Sequence, residues 1–226
     1  MAVNKEKYTS IQSFCKQAGV TLVAVSKTKP IEDIQTLYDS GHRDFGENYV
    51  QELCDKASQL PSDIRWHFIG HLQRNKVKYI APFVHLIHGV DSYRLLEEIG
   101  KHADKLQRNI SCLLQMHIAT EETKFGMDFS ELQVALDSVK LARKEGKLKQ
   151  VSVTGLMGMA SFSDNEKQIA SEFEKLASAF ENLKPFLDAE PNKAVLSMGM
   201  SADYQLAIEK GSNMVRVGSL LFGSRV

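Results

Sequence analysis

Lys27 closes the run Leu22-Val23-Ala24-Val25-Ser26-Lys27-Thr28-Lys29-Pro30, in which a short apolar strand gives way to a helix start at Pro30-Ile31-Glu32-Asp33. A lysine held against apolar walls loses hydration. Its pKa falls, and the neutral amine becomes a nucleophile toward carbonyls. A lysine at a strand end is thus suited to form a Schiff base, although either Lys27 or Lys29 could equally snorkel to solvent. At the other end of the chain stand Ser197-Met198-Gly199-Met200-Ser201 and Gly218-Ser219. Glycine permits close backbone approach, serine hydroxyls donate, and helix starts offer unpaired N–H groups, so these segments suit an anion. Taken singly, each also reads as a cap or a turn. Arg216 interrupts the apolar run Met214–Val217, sharing a side with Met214 while Val215 and Val217 take the other. A guanidinium keeps its proton, so inside a fold it needs an acceptor, either a structural carboxylate or a ligand atom. Lysine, anion cradle and arginine together fit pyridoxal 5′-phosphate (PLP). Its aldehyde condenses with an amine, its phosphate suits the cradle, and its ring nitrogen accepts a hydrogen bond.

The elements that must bring these residues together follow from periodicity. Strand-like runs occur at Leu22–Val25, Asp44-Phe45, Trp66–Ile69, Val84–Val90, Ile110–Met116, Val151–Thr154, Ala194–Ser197 and Met214–Val217. Helical patterns lie between them. Ile31, Ile34, Leu37 and Tyr38 share a face that stops at Gly41, and Val50, Leu53 and Cys54 mark the next helix. Ser92 and Ser130 are the expected caps of two more, and Phe173, Leu176, Phe180 and Leu183 lie on a helix entered near Asp164. A short helix over Ala202–Lys210 ends at Gly211, and another runs from Ser219 through Phe222. Eight strands alternating with helices predict a single (β/α)8 TIM barrel, compact beside the roughly 250 residues usual for that fold. A doubly wound open sheet is the rival, but no glycine-rich dinucleotide fingerprint follows the first strand. Barrels commonly bind phosphate with the loops after strands seven and eight, where the two Gly/Ser segments fall.

Composition narrows the classes. The 226 residues are 43% hydrophobic and 25% charged, an ordinary globular balance in one domain over 1–226. With 28 Lys+Arg against 28 Asp+Glu, no net field favours nucleic acid or membrane, and Arg74, Lys76 and Lys78 read as a solvated cluster. Cys15, Cys54 and Cys112 are scattered and odd in number, which suggests neither a disulfide framework nor a thiolate metal site. The N-terminus lacks the apolar core of a signal peptide and no run reaches spanning length, so a soluble cytoplasmic protein is expected. His67 and His71 lie four apart with Gly70 between them, a poor metal pair. Met157, Met159, Met198 and Met200 read as core or pocket lining, and Glu121, Glu122, Lys124 and Gly126 as a polar loop at the pocket rim.

Several blocks then match a known family. They are Ala24-Val25-Ser26-Lys27-Thr28-Lys29-Pro30, Phe45-Gly46-Glu47-Asn48-Tyr49-Val50-Gln51-Glu52, Trp66-His67-Phe68-Ile69-Gly70-His71-Leu72-Gln73, Gly155-Leu156-Met157, Leu196-Ser197-Met198-Gly199-Met200-Ser201 and Val215-Arg216-Val217-Gly218-Ser219-Leu220-Leu221-Phe222-Gly223. Over almost its whole length the chain resembles the PLP homeostasis proteins, also called the YggS/PROSC family. The resemblance implies a barrel like the PLP-binding, N-terminal domain of alanine racemase. It implies that Lys27, rather than Lys29, forms the internal aldimine, and that Ser197, Met200, Ser201, Gly218 and Ser219 hold the phosphate. It also implies that Arg216 faces the ring nitrogen and that Asn48 and His67 line the pocket. Two departures stand out: His117 replaces an expected asparagine, and Gly158-Met159-Ala160 varies the loop after Met157.

An arginine at the ring nitrogen disfavours its protonation and weakens PLP as an electron sink, which argues against transamination and decarboxylation. Racemases of this type need a second base from a further domain and a dimer partner. The chain ends at Val226, soon after the last strand, and by this reading has no such domain. The expected function is a monomeric PLP carrier in PLP homeostasis, with apo PLP-dependent enzymes as recipients. A PLP-dependent racemase or lyase, and a lysine Schiff-base aldolase that would leave Arg216 without a role, are the alternatives.

Overall fold

The computed structural model describes residues 3–121, 123–190 and 192–223. Eight parallel strands close into one barrel in chain order. They are β1 Thr21–Val25, β2 Asp44–Glu47, β3 Arg65–Phe68, β4 Leu86–Val90, β5 Ile110–Gln115, β6 Val151–Met157, β7 Val195–Ser197 and β8 Met214–Val217. The ring closes where β1 pairs with β8, from Thr21 opposite Met214 to Ala24 opposite Val217. Around it lie α1 Lys5–Gln17, α2 Ile31–Asp39, α3 Val50–Ala57, α4 Val77–Ile80, α5 Tyr93–Leu106, α6 Phe129–Lys144, α7 Glu166–Leu183, α8 Tyr204–Glu209 and α9 Ser219–Phe222. The fold is the expected TIM barrel.

Strand alternation divides the molecule into two cores. Outward side chains such as Leu22, Ala24, Phe45, Trp66, Phe68 and Ile87 join the helices in one continuous apolar layer. Phe45, Phe68, Phe173 and Phe222 are wholly buried there, and burying each contributes about 1.5–3 kcal/mol. Inside the barrel, Val23, Leu86, Leu113, Met157 and Met214 form a separate apolar cluster. The remaining interior is polar, with Asp44, His67, His88, Ser197 and Arg216 all buried. Such groups are costly without partners, so their hydrogen bonds show what the interior is arranged to hold.

Most boundaries agree with the periodicity. Ser92 caps α5 through the Leu95 amide, and Gly41 and Gly211 take positive φ just past α2 and α8. Three details differ. α6 is capped by Asp128 in a reciprocal box with Glu131, while Ser130 bonds to the Asp128 carboxylate, because an acidic side chain two residues earlier reaches the Glu131 amide and the Glu131 side chain returns to the Asp128 amide. α7 begins at Glu166 with Asn165 as its cap, one residue past Asp164. β6 continues past Thr154 to Met157, where it pairs with Gln115 and Ser197. The N-terminal helix α1 was not anticipated, although Tyr8, Ile11 and Cys15 bury one face of it and Asn4 caps it. It packs against α9 and ties the Asn4 amide to the Leu221 carbonyl at 2.8 Å.

Candidate cofactor site

A cavity of about 1010 Å3 opens at the C-terminal ends of the strands, the end of a barrel where ligands bind. Lys27 follows β1, Asn48 follows β2, Met200 and Ser201 follow β7, and Arg216, Gly218 and Ser219 come from β8 and the start of α9. All of them line this one space. Lys29 lines it too, so placement near the cavity does not by itself separate the two lysines.

Lys27 sits in a tight turn. The Lys29 amide donates to the Ser26 carbonyl at 3.0 Å, and Thr28 between them has φ 63°. That left-handed conformation usually belongs to glycine and strains a β-branched residue. What holds it is a buried ionic cluster beneath the turn. The Thr28 amide donates to Glu52 Oε1 at 2.6 Å. Lys56, 5% exposed, donates to the Ser26 carbonyl at 2.8 Å, to Glu47 Oε1 at 2.8 Å and to Glu52 Oε1 at 2.7 Å. These use all three ammonium donors. Ser26 Oγ adds a 2.6 Å bond to Glu47 Oε1. Burial pushes the Glu47 carboxyl above its ordinary pKa, against the pull of Lys56 and Ser26.

On the opposite wall, Gly199 takes φ +96°, and a Cβ there would stand 2.5 Å from the Ala207 Cβ, so the β7–α8 loop can lie flat on α8 only with glycine. Ser201 Oγ accepts from the Gly218 amide at 3.2 Å, joining the two Gly/Ser segments. The Leu221 and Phe222 amides of α9 both donate to the Gly218 carbonyl at 2.9 Å, which leaves the Ser219 and Leu220 amides at the helix start beside these segments. Asp203 Oδ1 accepts from the Met200 amide and shapes the same loop. Its burial pushes that carboxyl up, opposed by the Met200 amide and Arg216.

Arg216 is 4% exposed. It donates to Ser197 Oγ at 2.6 Å and to the Gly158 carbonyl at 3.0 Å, both neutral oxygens. Burial brings its pKa down to about 10, with Asp203 opposing, so it remains a cation at neutral pH. Neither acceptor is a structural carboxylate.

Two expected wall residues do not line the cavity. Ser197 points inward from β7 beneath Arg216, where its hydroxyl is engaged by that guanidinium and by His88 Nδ1 at 3.1 Å. His67 points into the barrel from β3, 1% exposed, between Asp44 Oδ1 at 3.1 Å and His88 Nε2 at 2.9 Å. Strand alternation turns both side chains to the barrel axis below the opening. His71 lies apart from His67, stacked on Phe125 and paired with Asp91. At the rim, Lys124 lines the cavity, donating to the Ala160 carbonyl at 2.6 Å, and Glu121 accepts from the Phe162 amide at 2.8 Å. Glu122 lies outside the described residues. His117 contacts the Glu121 carbonyl at 3.0 Å, so this departure bears on the rim loop and not on the cavity wall. Met159 and Met200 line the cavity, whereas Met157 and Met198 are buried.

The residues present suit PLP. Besides an amine, a cradle and a guanidinium with donors to spare, the buried Asn48 Oδ1 has no hydrogen-bond partner among the described residues, as expected of a group that meets a ligand.

Comparison with known proteins gives the family of the chain. The family model "Alanine racemase, N-terminal domain" matches residues 4–226. A pyridoxal phosphate homeostasis protein of Aquifex aeolicus (strain VF5) is 40% identical over 223 residues, covering 95% of this chain and 93% of that protein. The chain belongs to the pyridoxal phosphate homeostasis protein family. The Homo sapiens member is 37% identical, covering 90% of this chain and 76% of its own length. PipY of Synechococcus elongatus PCC7942, solved with PLP bound, superposes with a TM-score of 0.83 at 33% identity, covering 96% of this chain and 99% of that one. An alanine racemase from Bartonella henselae shares the fold at a TM-score of 0.70 and 16% identity, covering 97% of this chain and 59% of its own.

Sequence reasoning missed Asp44, Glu47, Lys56 and His88 as parts of the site. His88 had the same signal as Arg216, a polar residue inside the apolar run Leu86–Val90.

Proposed function

We propose that this family member holds PLP on Lys27 and releases it to apo PLP-dependent enzymes, acting in PLP homeostasis without turnover of amino acids. The observation that carries the reading is that Lys27, Arg216 and the Ser201/Gly218/Ser219 segments, distant in sequence, line one cavity. Bound PLP supplies an aldehyde that condenses reversibly with an amine and a ring that can withdraw electrons. The turn at residues 26–29 presents the Lys27 amine. Ser201, Gly218 and Ser219 hold the phosphate, with Met200 lining the wall beside them and Asn48 beside the ring. Arg216 offers a fixed positive charge to the ring nitrogen, which disfavours its protonation and limits carbanion chemistry. Ser197 acts through Arg216 rather than at the phosphate. One barrel domain, monomeric and cytoplasmic, suffices for this role. Among the described residues no helix is long and apolar enough to cross a membrane.

The test compares absorption spectra of wild-type and Lys27→Ala protein loaded with PLP, followed by borohydride reduction and peptide mapping. Wild type is expected to carry reducible PLP on Lys27, to reactivate an apo-enzyme and to racemise no amino acid, while Lys27→Ala carries none covalently. Label appearing on Lys29 would reassign the lysine. A wild-type protein that takes up no PLP would overturn the reading.

A further inference from the structure

A single line of hydrogen bonds crosses the barrel from its N-terminal rim to the cavity. Arg65 on β3 donates from Nε to Asp44 Oδ1 at 2.7 Å. Asp44 Oδ1 contacts His67 Nε2, His67 Nδ1 contacts His88 Nε2, His88 Nδ1 contacts Ser197 Oγ, and Ser197 Oγ accepts from Arg216. Five strands contribute: Asp44 from β2, His67 from β3, His88 from β4, Ser197 from β7 and Arg216 from β8.

The proton positions follow from the two ends. Burial works to raise the Asp44 carboxyl, but hydrogen bonds from His67 and Arg65 hold it well below the usual range, so it is an acceptor only. His67 must therefore carry its proton on Nε2. Full burial, with His67 and Arg216 nearby, keeps the pKa of His88 far below that of an ordinary histidine, so its ring is neutral and has one donor. Were His67 neutral as well, its Nδ1 would accept from His88 Nε2–H. His88 Nδ1 would then accept the Ser197 hydroxyl proton, leaving the Ser197 lone pairs for Arg216. Every donor in that arrangement points the same way, from Arg216 toward Asp44, and no group is left without a partner.

We infer that Asp44, His67 and His88 are positioning residues that orient Ser197, and through it Arg216, toward the ring nitrogen of bound PLP. The inference rests on the proposed placement of that nitrogen at Arg216. A carboxylate touching the guanidinium would neutralise its charge where the ring must meet it. The relay instead gives Arg216 a neutral acceptor and keeps the only carboxylate in the line at its far end.

The test is 15N NMR of protein loaded with PLP labelled at the ring nitrogen, read beside the PLP dissociation constant. In wild type the resonance is expected in the range of an unprotonated pyridine. His88→Phe, which keeps the ring volume but neither nitrogen, should shift that resonance and weaken PLP by roughly tenfold, the loss of one buried hydrogen-bond partner. His88→Gln can accept from Ser197 and donate to His67, and should restore both readouts. Should His88→Phe fail to fold, Ser197→Ala cuts the line beside Arg216 and is expected to give the same shift. Folded variants with wild-type resonance and affinity would overturn the relay while leaving PLP on Lys27. A wild-type resonance typical of pyridinium would instead overturn the assignment of Arg216, and the relay with it.

Discussion

Thr28 occupies a backbone conformation that an L residue adopts only under constraint, with φ at 63° one residue after the proposed PLP lysine. The left-handed region costs a residue with a Cβ roughly 1–2 kcal/mol, and glycine much less. Glu52 takes the Thr28 amide at 2.6 Å, and that bond offsets the strain. The distortion swings Lys27 to the position before the bend, where its side chain lines the cavity. Thr28→Gly is therefore expected to stabilise the protein by about 1 kcal/mol, raising the midpoint of a calorimetric melt by about 2–4 °C. A midpoint that stays or falls would show that the turn is unstrained. Lys27 and Arg216 were legible in the chain because each breaks an apolar run. Thr28 was not, because its residue type favours strands, and only a contact from α3 makes the turn hold.

At the scale of elements, α3 does more than cover the sheet. Its Lys56 reaches beneath the β1–α2 turn and makes 2.7–2.8 Å bonds to the Ser26 carbonyl, Glu47 and Glu52. Removing one partner of a buried charge pair leaves the other uncompensated, so Lys56→Met should cost about 3–5 kcal/mol in urea unfolding. The double variant Lys56→Met/Glu47→Gln should recover part of that loss, since the stranded carboxylate is gone. Equal losses in the single and double variants would mean that packing of the lysine stem, not its charge, matters. Helical periodicity located α3 from Val50, Leu53 and Cys54, but gave no reason for a lysine to be buried on it. That reason lies in β2, which ends in Glu47 directly opposite. The same dependence explains the cap of α6, where both Asp128 and Ser130 are competent by type and geometry chose Asp128.

The molecule as a whole buries histidines, and this sets its response to acid. His42 and His88 are buried at 3% and 0% exposure, and burial lowers the pKa of each below the ordinary value. An unfolded histidine titrates near 6.5, so below that pH the unfolded chain binds protons that the folded barrel refuses. Stability from these two residues is complete above about pH 6.5 and is lost progressively as pH falls below it. Urea midpoints should drop between pH 7.5 and pH 5, and His88→Gln should show a shallower drop. An unchanged slope in that variant would assign the acid sensitivity to other groups.

By itself the chain determined the strand count, the alternating helices and the chemistry of Lys27, Arg216 and the Gly/Ser segments, because those depend on residue type and on spacing within a few positions. Blocks of motif were enough to place it in its family. Tertiary structure decided which of these residues share a space. His67 and Ser197 belong to matching blocks, yet strand alternation turns both toward the barrel axis, where they join Asp44 and His88 beneath Arg216. Hydrogen bonds among β2, β3, β4, β7 and β8 form only when the sheet closes. No local pattern encodes a partner that is a hundred residues away.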